Sequence, residues 1–443
     1  MLHPIFGGVH LEGRKEGTRR KNIALPDTQP EVLIIPLHMH AGQPCESLVK
    51  PGDVVAVGQP IGRSEQMLIH SGVSGQVVAV EPRPHPWGGK RPAVVIRNDG
   101  RDTPWPESLQ PADWQQLSEQ DIIVRIAQAG IVGMGGGGYP TAEKIISARG
   151  KVDTLIVNAA ESEPYMTGDH RLLLEYSRQV LTGMHILLKA VGVRSGVVAV
   201  EGNKLNAVEM LERTGRRCGL DCRVCAIPSR YPLGAEKQVV KAVTGREVPP
   251  QGNAIDAHCV VFNAATAYAV YQAVAEGKAL THRAVTVTGA AVARPRNLWV
   301  PIGTPIRDLI ASAGGLREQP GLVIMGGPMT GIDQPDLEVP IIKTAPGVVC
   351  MLNWELAEEK EESVCIRCGR CVSVCPMHLM PLLVDKELKL GGDVKELRRL
   401  HTLDCIGCGS CSYVCPSNIP LVERMVQARR LVQDEQTAGE AAQ

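Results

Sequence analysis

Short apolar runs, VLIIPL, DVVAVG, QVVAV and AVVIRN, are set between proline and glycine over the first quarter of the chain. Runs of this length between turn residues predict an all-β segment over residues 1–112. The period then changes. DIIVRIAQAG has helical spacing, and TLIVNAA reads as a short buried strand. HRLLLEYSRQVLTGMHILLKAVG reads as one long amphipathic helix, GVVAVEGN as a strand, and VVFNAATAYAVYQAV as a strand passing into a helix. This alternation predicts an α/β layer over 118–280 with a largely parallel sheet. Such sheets gather ligands at the carboxyl ends of their strands, which here carry ESEP at 161–164, EGNK at 201–204 and Asn263. AVTVTG, WVPIGTPI and GLVIMGGPM return to β spacing over 283–348. A helical segment around two cysteine clusters follows over 352–430, and the polar residues 431–443 are expected to be a disordered tail.

A chain of 443 residues has room for two to four domains. Its 47 basic and 47 acidic residues balance, and no run of one sign stands out. Nothing there argues for nucleic acid or for electrostatic membrane binding. Only 2 Phe are present, which also disfavours base stacking. The opening MLHPIFGGVHLEGRKEG lacks the long apolar core of a secretory leader. No run of roughly 18 apolar residues exists, so no direct membrane span is expected and any membrane association runs through partners.

Of the 14 cysteines, 8 sit in two tight clusters. Without a leader, clustered thiols read as metal ligands in a reducing compartment. CIRCGRCVSVCP, Cys365 to Pro376, recurs as CIGCGSCSYVCP, Cys405 to Pro416. Each is C-x2-C-x2-C-x3-C-P. Three thiolates on one looping turn fit three corners of a cubane, and the fourth starts a helix and points at the other cluster. The proline after it suits a first helical turn, where no N–H is needed. The expected ligation is crossed: Cys365, Cys368, Cys371 and Cys415 hold one [4Fe–4S] cluster, and Cys405, Cys408, Cys411 and Cys375 the other. A zinc site needs only four ligands and does not account for the doubled spacing.

Cys218, Cys222 and Cys225 have the spacing of a radical-SAM cluster. They lead into VCAIP inside the α/β segment, where ordinary packing or partial exposure is expected. Cys45, Cys259 and Cys350 read as buried small hydrophobes, and His38, His40, His70 and His258 as structural histidines.

GIVGMGGGGYPTAEK, residues 130–144, contains a formal G-x-G-x-x-G at Gly133, Gly135 and Gly138. A dinucleotide fingerprint must follow a strand, and here a helical pattern precedes it. A mobile surface loop is the plain alternative. GMGGGGYP nevertheless brings many backbone N–H groups within reach of an anion. Thr141 opens a helix whose N-terminus favours phosphate, and Lys144 adds charge. Iron–sulfur clusters pass one electron at a time and nicotinamide passes a hydride, so a protein linking them needs a converter, commonly flavin. The phosphate of FMN fits this loop.

These residues carry a family resemblance. GMGGGGYPTAEK and VNAAESEPYMTGDHRL, with YPLGAEKQVVKAVTGREVPP and VFNAAT, resemble the flavin- and NADH-binding subunit of respiratory complex I. VKPGDVVAVGQPIG with SGVSGQVVAV resembles a lipoyl-type barrel-sandwich domain, although RSEQMLIH between them offers no acceptor lysine. The order of segments, with HPIFGGVH and IIPLHMHAGQP, resembles the RnfC subunit of the Rnf complex, an ion-translocating ferredoxin:NAD oxidoreductase, over nearly the whole chain. The implied architecture is multidomain α/β plus β. It runs from an N-terminal barrel-sandwich hybrid through a Rossmann-like α/β flavin and NADH core and a β-grasp (SLBB-like) insert to a helical ferredoxin-type domain with two clusters.

The resemblance implies that Gly133, Gly135, Gly136, Gly138 and Lys144 hold the FMN phosphate and ribityl region. Asn158, Glu161, Tyr231, Gly234, Asn263 and Thr266 would line the isoalloxazine and its tail, and Glu163 and Glu236 the nicotinamide nucleotide. Glu163 and Lys144 would act in catalysis. The implied cofactors are two [4Fe–4S] clusters, FMN and NAD(H). The implied partners are other subunits of a membrane Rnf-type complex, including an iron–sulfur ferredoxin-like subunit, and ferredoxin indirectly. The protein would sit peripherally on the cytoplasmic side of the cell membrane. The complex I pattern carries Asp where this chain has Ala160 and Arg where it has Met134, so the nucleotide grip differs there. Two other readings are a non-catalytic electron-transfer and docking subunit with a vestigial nucleotide site, and a cobalamin reductase. In the latter family the barrel-sandwich domain comes last, whereas here it comes first.

Overall fold

The computed structural model describes residues 3–220, 222–356 and 361–441. The chain divides into two compact units: residues 1–12, 227–257 and 357–443 form one, and 13–226 with 258–356 the other.

The larger unit begins with the barrel sandwich. Its four-stranded sheet runs Val32–Pro36, Lys90–Asn98, Gly75–Pro84, Val54–Val55, and its three-stranded sheet runs Glu46–Ser47, Pro60–Arg63, Leu68–His70. The apolar runs read from the sequence supply its core, with Leu33, Ile35, Ile61, Ile69 and Ile96 fully buried. Lys343 is also fully buried. Its Nζ donates to Leu68 O at 3.0 Å and Gly130 O at 2.7 Å, tying the Leu68–His70 strand to the start of the glycine loop.

The α/β layer has the strand order Arg223–Ile227, Ser195–Glu201, Thr154–Ala159, Cys259–Asn263. Thr154–Ala159 pairs in parallel with both of its neighbours. Leu155, Ile156 and Val157 are fully buried, as expected for a strand covered on both faces. The single long helix expected from HRLLLEYSRQVLTGMHILLKAVG is two helices, Gly168–Glu175 and Ser177–Val191, broken at Tyr176. The Tyr176 ring packs on Tyr268 at 5.2 Å, so tertiary packing overrides the helical period at that residue. Ser177–Val191 then lies so close to the helix Ala264–Ala275 that a Cβ on Gly183 would collide with the Ala267 carbonyl.

The last sheet of this unit has the order Ile23–Ala24, Arg296–Pro301, His282–Thr288, Gly347–Met351, Leu322–Met325, Ile332–Asp333. Its edge strand Ile23–Ala24 comes from the N-terminal segment, which sequence alone did not assign to it.

The smaller unit is helical, with Leu379, Val384, Leu397, Met425, Ala428 and Val432 as its core. The tail expected to lose order from 431 instead continues the helix Leu421–Ala441. Val432 is fully buried, and Arg398 reaches Glu435 at 2.8 Å, so the apolar face outlasts the polar composition. Residues 442–443 lie outside the described residues. An N-terminal strap crosses this unit: Gly8 N donates to Val374 O at 2.7 Å, and Val9 exchanges backbone bonds with Tyr231. Gly7, at φ +71, leaves no room for a Cβ against the Cys375 carbonyl. Among the described residues no helix is long and apolar enough to cross a membrane.

Candidate functional site

The two cysteine motifs fold as copies of one another. Left-handed backbone recurs at matching positions, Arg367 with Gly407, Gly369 with Gly409, and His378 with Asn418. Each copy wraps a cavity, and the cavities are crossed. Cys365, Cys368 and Cys371 share one with Cys415, and Cys405, Cys408 and Cys411 share the other with Cys375. Each cavity is thus lined by the four cysteines that the crossed reading of the spacing groups together. Backbone amides already aim at the sulfurs: Leu379 N at Cys375 Sγ, 3.3 Å, and Gly407 N at Cys405 Sγ, 3.4 Å. Burial raises the thiols of Cys371, Cys375 and Cys405, and takes Cys411 to about 12. Cluster assembly therefore displaces protons from these thiols. The other cysteines divide as expected: Cys45, Cys259 and Cys350 are buried, whereas Cys218 is exposed and Cys225 is buried. Asp221, inside that triplet, lies outside the described residues.

The glycine loop runs between two helices, Glu119–Gln128 and Thr141–Ala148, so no strand leads into it. It closes on itself: Gly133 N donates to Tyr139 O at 2.8 Å and Gly138 N to Gly133 O at 3.1 Å. Met134 N donates to Thr266 Oγ1 at 2.9 Å. Gly133, Gly138 and Thr266 therefore shape the loop. The exposed segment is Gly135–Gly137, whose amides make no backbone bond among the described residues. A Cβ on Gly136 or Gly137 would meet nothing within 4 Å, so an anion can approach this backbone from the open side. Met134 is buried and its side chain cannot take the place of the arginine found in the complex I pattern.

Behind the loop, Asn158 and Asn263 are register partners at the carboxyl ends of adjacent parallel strands. A Cβ on Gly135 would stand 3.2 Å from Asn263 Cβ. Asn263 caps its helix through Ala265 N and donates to Asp169 Oδ2 at 2.6 Å. Asp169 N donates to Glu161 Oε1 at 2.7 Å. Glu161 is held in left-handed backbone, and its buried Oε2 has no hydrogen bond among the described residues, with Lys15 Nζ 4.0 Å away. Burial raises Glu161 to about 7 and lowers Lys15 to about 8. Lys204 Nζ donates to Glu201 Oε2 at 2.6 Å and to Ala160 O at 2.7 Å. A chain of part-buried polar groups thus leads from behind Gly135 through Asn263, Asp169 and Glu161 to Lys15.

Lys144 Nζ lies 5.8 Å from the centre of the Phe262 ring. Glu163 faces a different group: it accepts from Thr330 Oγ1 at 2.5 Å and Met329 N at 3.1 Å, which ties it to the loop after Met325. Tyr231, Gly234 and Glu236 belong to the cluster-bearing unit. There the Tyr231 hydroxyl donates to Cys408 O at 2.8 Å. Sequence reasoning missed Lys15 and Asp169. Lys15 sits in a turn-rich stretch without periodicity, 146 residues from its partner. Lys204 was visible only as the end of EGNK.

Residues 126–272 match the Nuo51 FMN-binding domain, and residues 358–433 the 4Fe-4S dicluster domain. Residues 3–101 match the RnfC barrel sandwich hybrid domain, and residues 284–333 the SLBB domain. This is the domain order expected from the sequence. The fold is shared with an NAD+-reducing [NiFe]-hydrogenase crystallised in its H2-reduced state, at a TM-score of 0.51 and 20% identity. That likeness covers 72% of this chain and 61% of the hydrogenase chain, less than two thirds of its length. The matched FMN-binding and 4Fe-4S dicluster domains make this an iron–sulfur flavoprotein of the electron-transfer class. The chain is 41% identical over 388 residues to the RnfC component of the Na(+)-translocating ferredoxin:NAD(+) oxidoreductase complex of Acetobacterium woodii, covering 86% of each. It is 39% identical over 389 residues to the proton-translocating counterpart of Clostridium ljungdahlii, covering 87% of this chain and 84% of that one. Against the corresponding component of the ion-translocating oxidoreductase complex of Rhodobacter capsulatus it is 39% identical over 449 residues, with 99% and 86% covered. The chain belongs to this family, the RnfC subunits of the ion-translocating ferredoxin:NAD(+) oxidoreductase (Rnf) complexes.

Proposed function

We propose that this chain exchanges electrons between NAD(H) and partner subunits of a membrane-bound, ion-translocating ferredoxin:NAD+ oxidoreductase, on the cytoplasmic side of the cell membrane. It is the electron-input or electron-output subunit, reached by an iron–sulfur partner subunit and, through it, by ferredoxin. The observation that carries this reading is one chain holding both an exposed glycine-amide cradle and two crossed four-thiol cavities. FMN, when bound, supplies the conversion between a hydride and single electrons. The amides of Gly135, Gly136 and Gly137 take its phosphate, on a loop held in shape by Gly133, Gly138 and Thr266, with Lys144 adding positive charge. Asn158 and Asn263 present polar groups at the strand ends. Glu161 holds a proton near neutrality within reach of Lys15, and Glu163 serves the nicotinamide side. The eight cluster cysteines hold two [4Fe–4S] groups.

Full-length protein reconstituted with iron and sulfide should hold about eight iron atoms and one FMN. NADH should bleach the flavin absorbance. Protein that retains no flavin and shows no response to NADH would overturn the reading.

A further inference from the structure

Glu161 and Glu163 leave the same strand end and go different ways. Glu161 turns to the Asp169 amide, whereas Glu163 crosses to the SLBB segment. Met325 and Ile332 are register partners there, so residues 326–331, GGPMTG, form a hairpin turn. The turn is fixed by its own backbone. Gly326 N donates to Gly347 O at 2.8 Å, and Gly331 N donates to Gly327 O at 2.7 Å. Just beyond it, Gln334 N donates to Val323 O at 2.7 Å and Gln334 Nε2 to Pro86 O at 2.9 Å, which braces the hairpin on the barrel sandwich. The Glu163 carboxylate lies directly against this turn. A Cβ on Gly327 would collide with Glu163 Oε2, so only glycine lets the carboxylate rest there. Thr330 Oγ1 donates to one oxygen and Met329 N to the other.

We propose that this turn is part of the nicotinamide-nucleotide site: it is a cup that holds Glu163 ionised and aimed, with Thr330 as the positioning residue. The Met329 N–H can only donate, so it favours the carboxylate over the neutral acid. Burial pushes Glu163 above the ordinary 4.5, and the Thr330 hydroxyl, the Met329 and Thr330 amides and the Lys15 ammonium oppose that rise. A carboxylate has about four acceptor positions. Glu163 is half-buried, so its open side can still accept from hydroxyl or carboxamide donors of the nucleotide. A neutral Glu163 would offer them a weaker acceptor. The proposal rests on the reading of Glu163 given above.

NMR of full-length chain carrying glutamate isotope-labelled at the side-chain carboxyl follows the titration of Glu163, whose resonance is the one lost in Glu163→Gln. Thr330→Val should raise its midpoint, and Thr330→Ser, which keeps the hydroxyl, should leave it in place. This reading needs neither flavin nor nucleotide. In chain loaded with FMN and clusters, NAD+ affinity measured by calorimetry should fall about tenfold in Thr330→Val at about pH 6, and by less at about pH 8, where the carboxylate is ionised in both proteins. Thr330→Ser should bind as the wild type does, and flavin content should be the same in all three. A midpoint that does not move in Thr330→Val, or that moves as far in Thr330→Ser, would overturn the proposal. Glu163→Gln separates the two claims. If it weakens NAD+ binding while Thr330→Val does not, the cup fails and the reading of Glu163 stands. If it binds NAD+ as well as the wild type, the reading of Glu163 fails and takes the proposal with it.

Discussion

Replacing Lys343 by methionine should change how stability depends on pH more than it changes stability at any one pH. The ammonium is fully buried, and burial brings it from the ordinary 10.5 to about 7. That difference is worth roughly 5 kcal/mol. The unfolded chain keeps this proton up to about pH 10.5, whereas the folded chain releases it above about 7. Between those values the unfolded state binds more protons, so the cost of burying Lys343 is full below about pH 7 and is relieved as pH rises. The slope is about 1.4 kcal/mol per pH unit. Lys343→Met abolishes that slope and keeps the packing volume. It also leaves the Leu68 and Gly130 carbonyls unpaired, at about 1–3 kcal/mol each. At about pH 7.5 the gain and the loss nearly cancel, so the slope is the diagnostic quantity. All 5 tryptophans (Trp87, Trp105, Trp114, Trp299 and Trp354) lie in the same compact unit as Lys343, so their fluorescence in urea reports that unit. From about pH 7.5 to 8.5 the wild-type chain should gain about 1.2 kcal/mol relative to the variant. The window lies below the ordinary thiol value of 9.0, and burial pushes Cys45 higher still. Parallel stability curves for the two proteins would show that the amine does not titrate here, and the reasoning would fail.

Other consequences follow from single contacts. Cys415→Ala should remove the cluster shared with Cys365, Cys368 and Cys371 and leave the other, so iron content falls from about eight to about four; loss of the Cys405 centre instead would refute crossed ligation. Thr266→Val leaves the Met134 amide without its acceptor, and FMN affinity, read by fluorescence titration, should fall about tenfold; unchanged affinity would mean the loop keeps its shape without that bond. Gly183→Ala forces a methyl into the Ala267 carbonyl and should cost about 2–3 kcal/mol in the tryptophan-monitored unfolding; a cost under about 0.5 kcal/mol would show that the two helices can move apart freely.

Elements that carry their own period were legible in the sequence. The strand TLIVNAA and the helix DIIVRIAQAG form where the pattern places them. The doubled cysteine spacing even fixed which thiols share a cavity, because that spacing encodes the local path of the chain. The misses arise where distant residues decide. Tyr176 breaks a helix because Tyr268 packs on it, and Val432 extends one because a core lies beneath it. In the candidate site, the glycines and strand-end asparagines were readable, but which amides the loop spends on itself was not. Lys15 could not have been found, since nothing in GRKEGT says that its ammonium meets a backbone carbonyl 146 residues away.

The strap at the chain's beginning imposes a sequence in time. Gly7 and Gly8 have their partners at Cys375 and Val374, and Val9 has its partner at Tyr231. A chain growing from its N-terminus makes the strap well before Tyr231, Val374 and Cys375, against which it packs. All residues of the larger unit are made by position 356, before Val374 and Cys375, where Gly8 and Gly7 pack, exist. Cys415, a ligand to the first motif's cavity, is made later still. Metal loading is therefore a late event in the life of each molecule. A cell short of iron or sulfide would accumulate chains whose larger unit is finished while the cluster-bearing unit, assembled from the two ends of the chain and a middle segment, stays open.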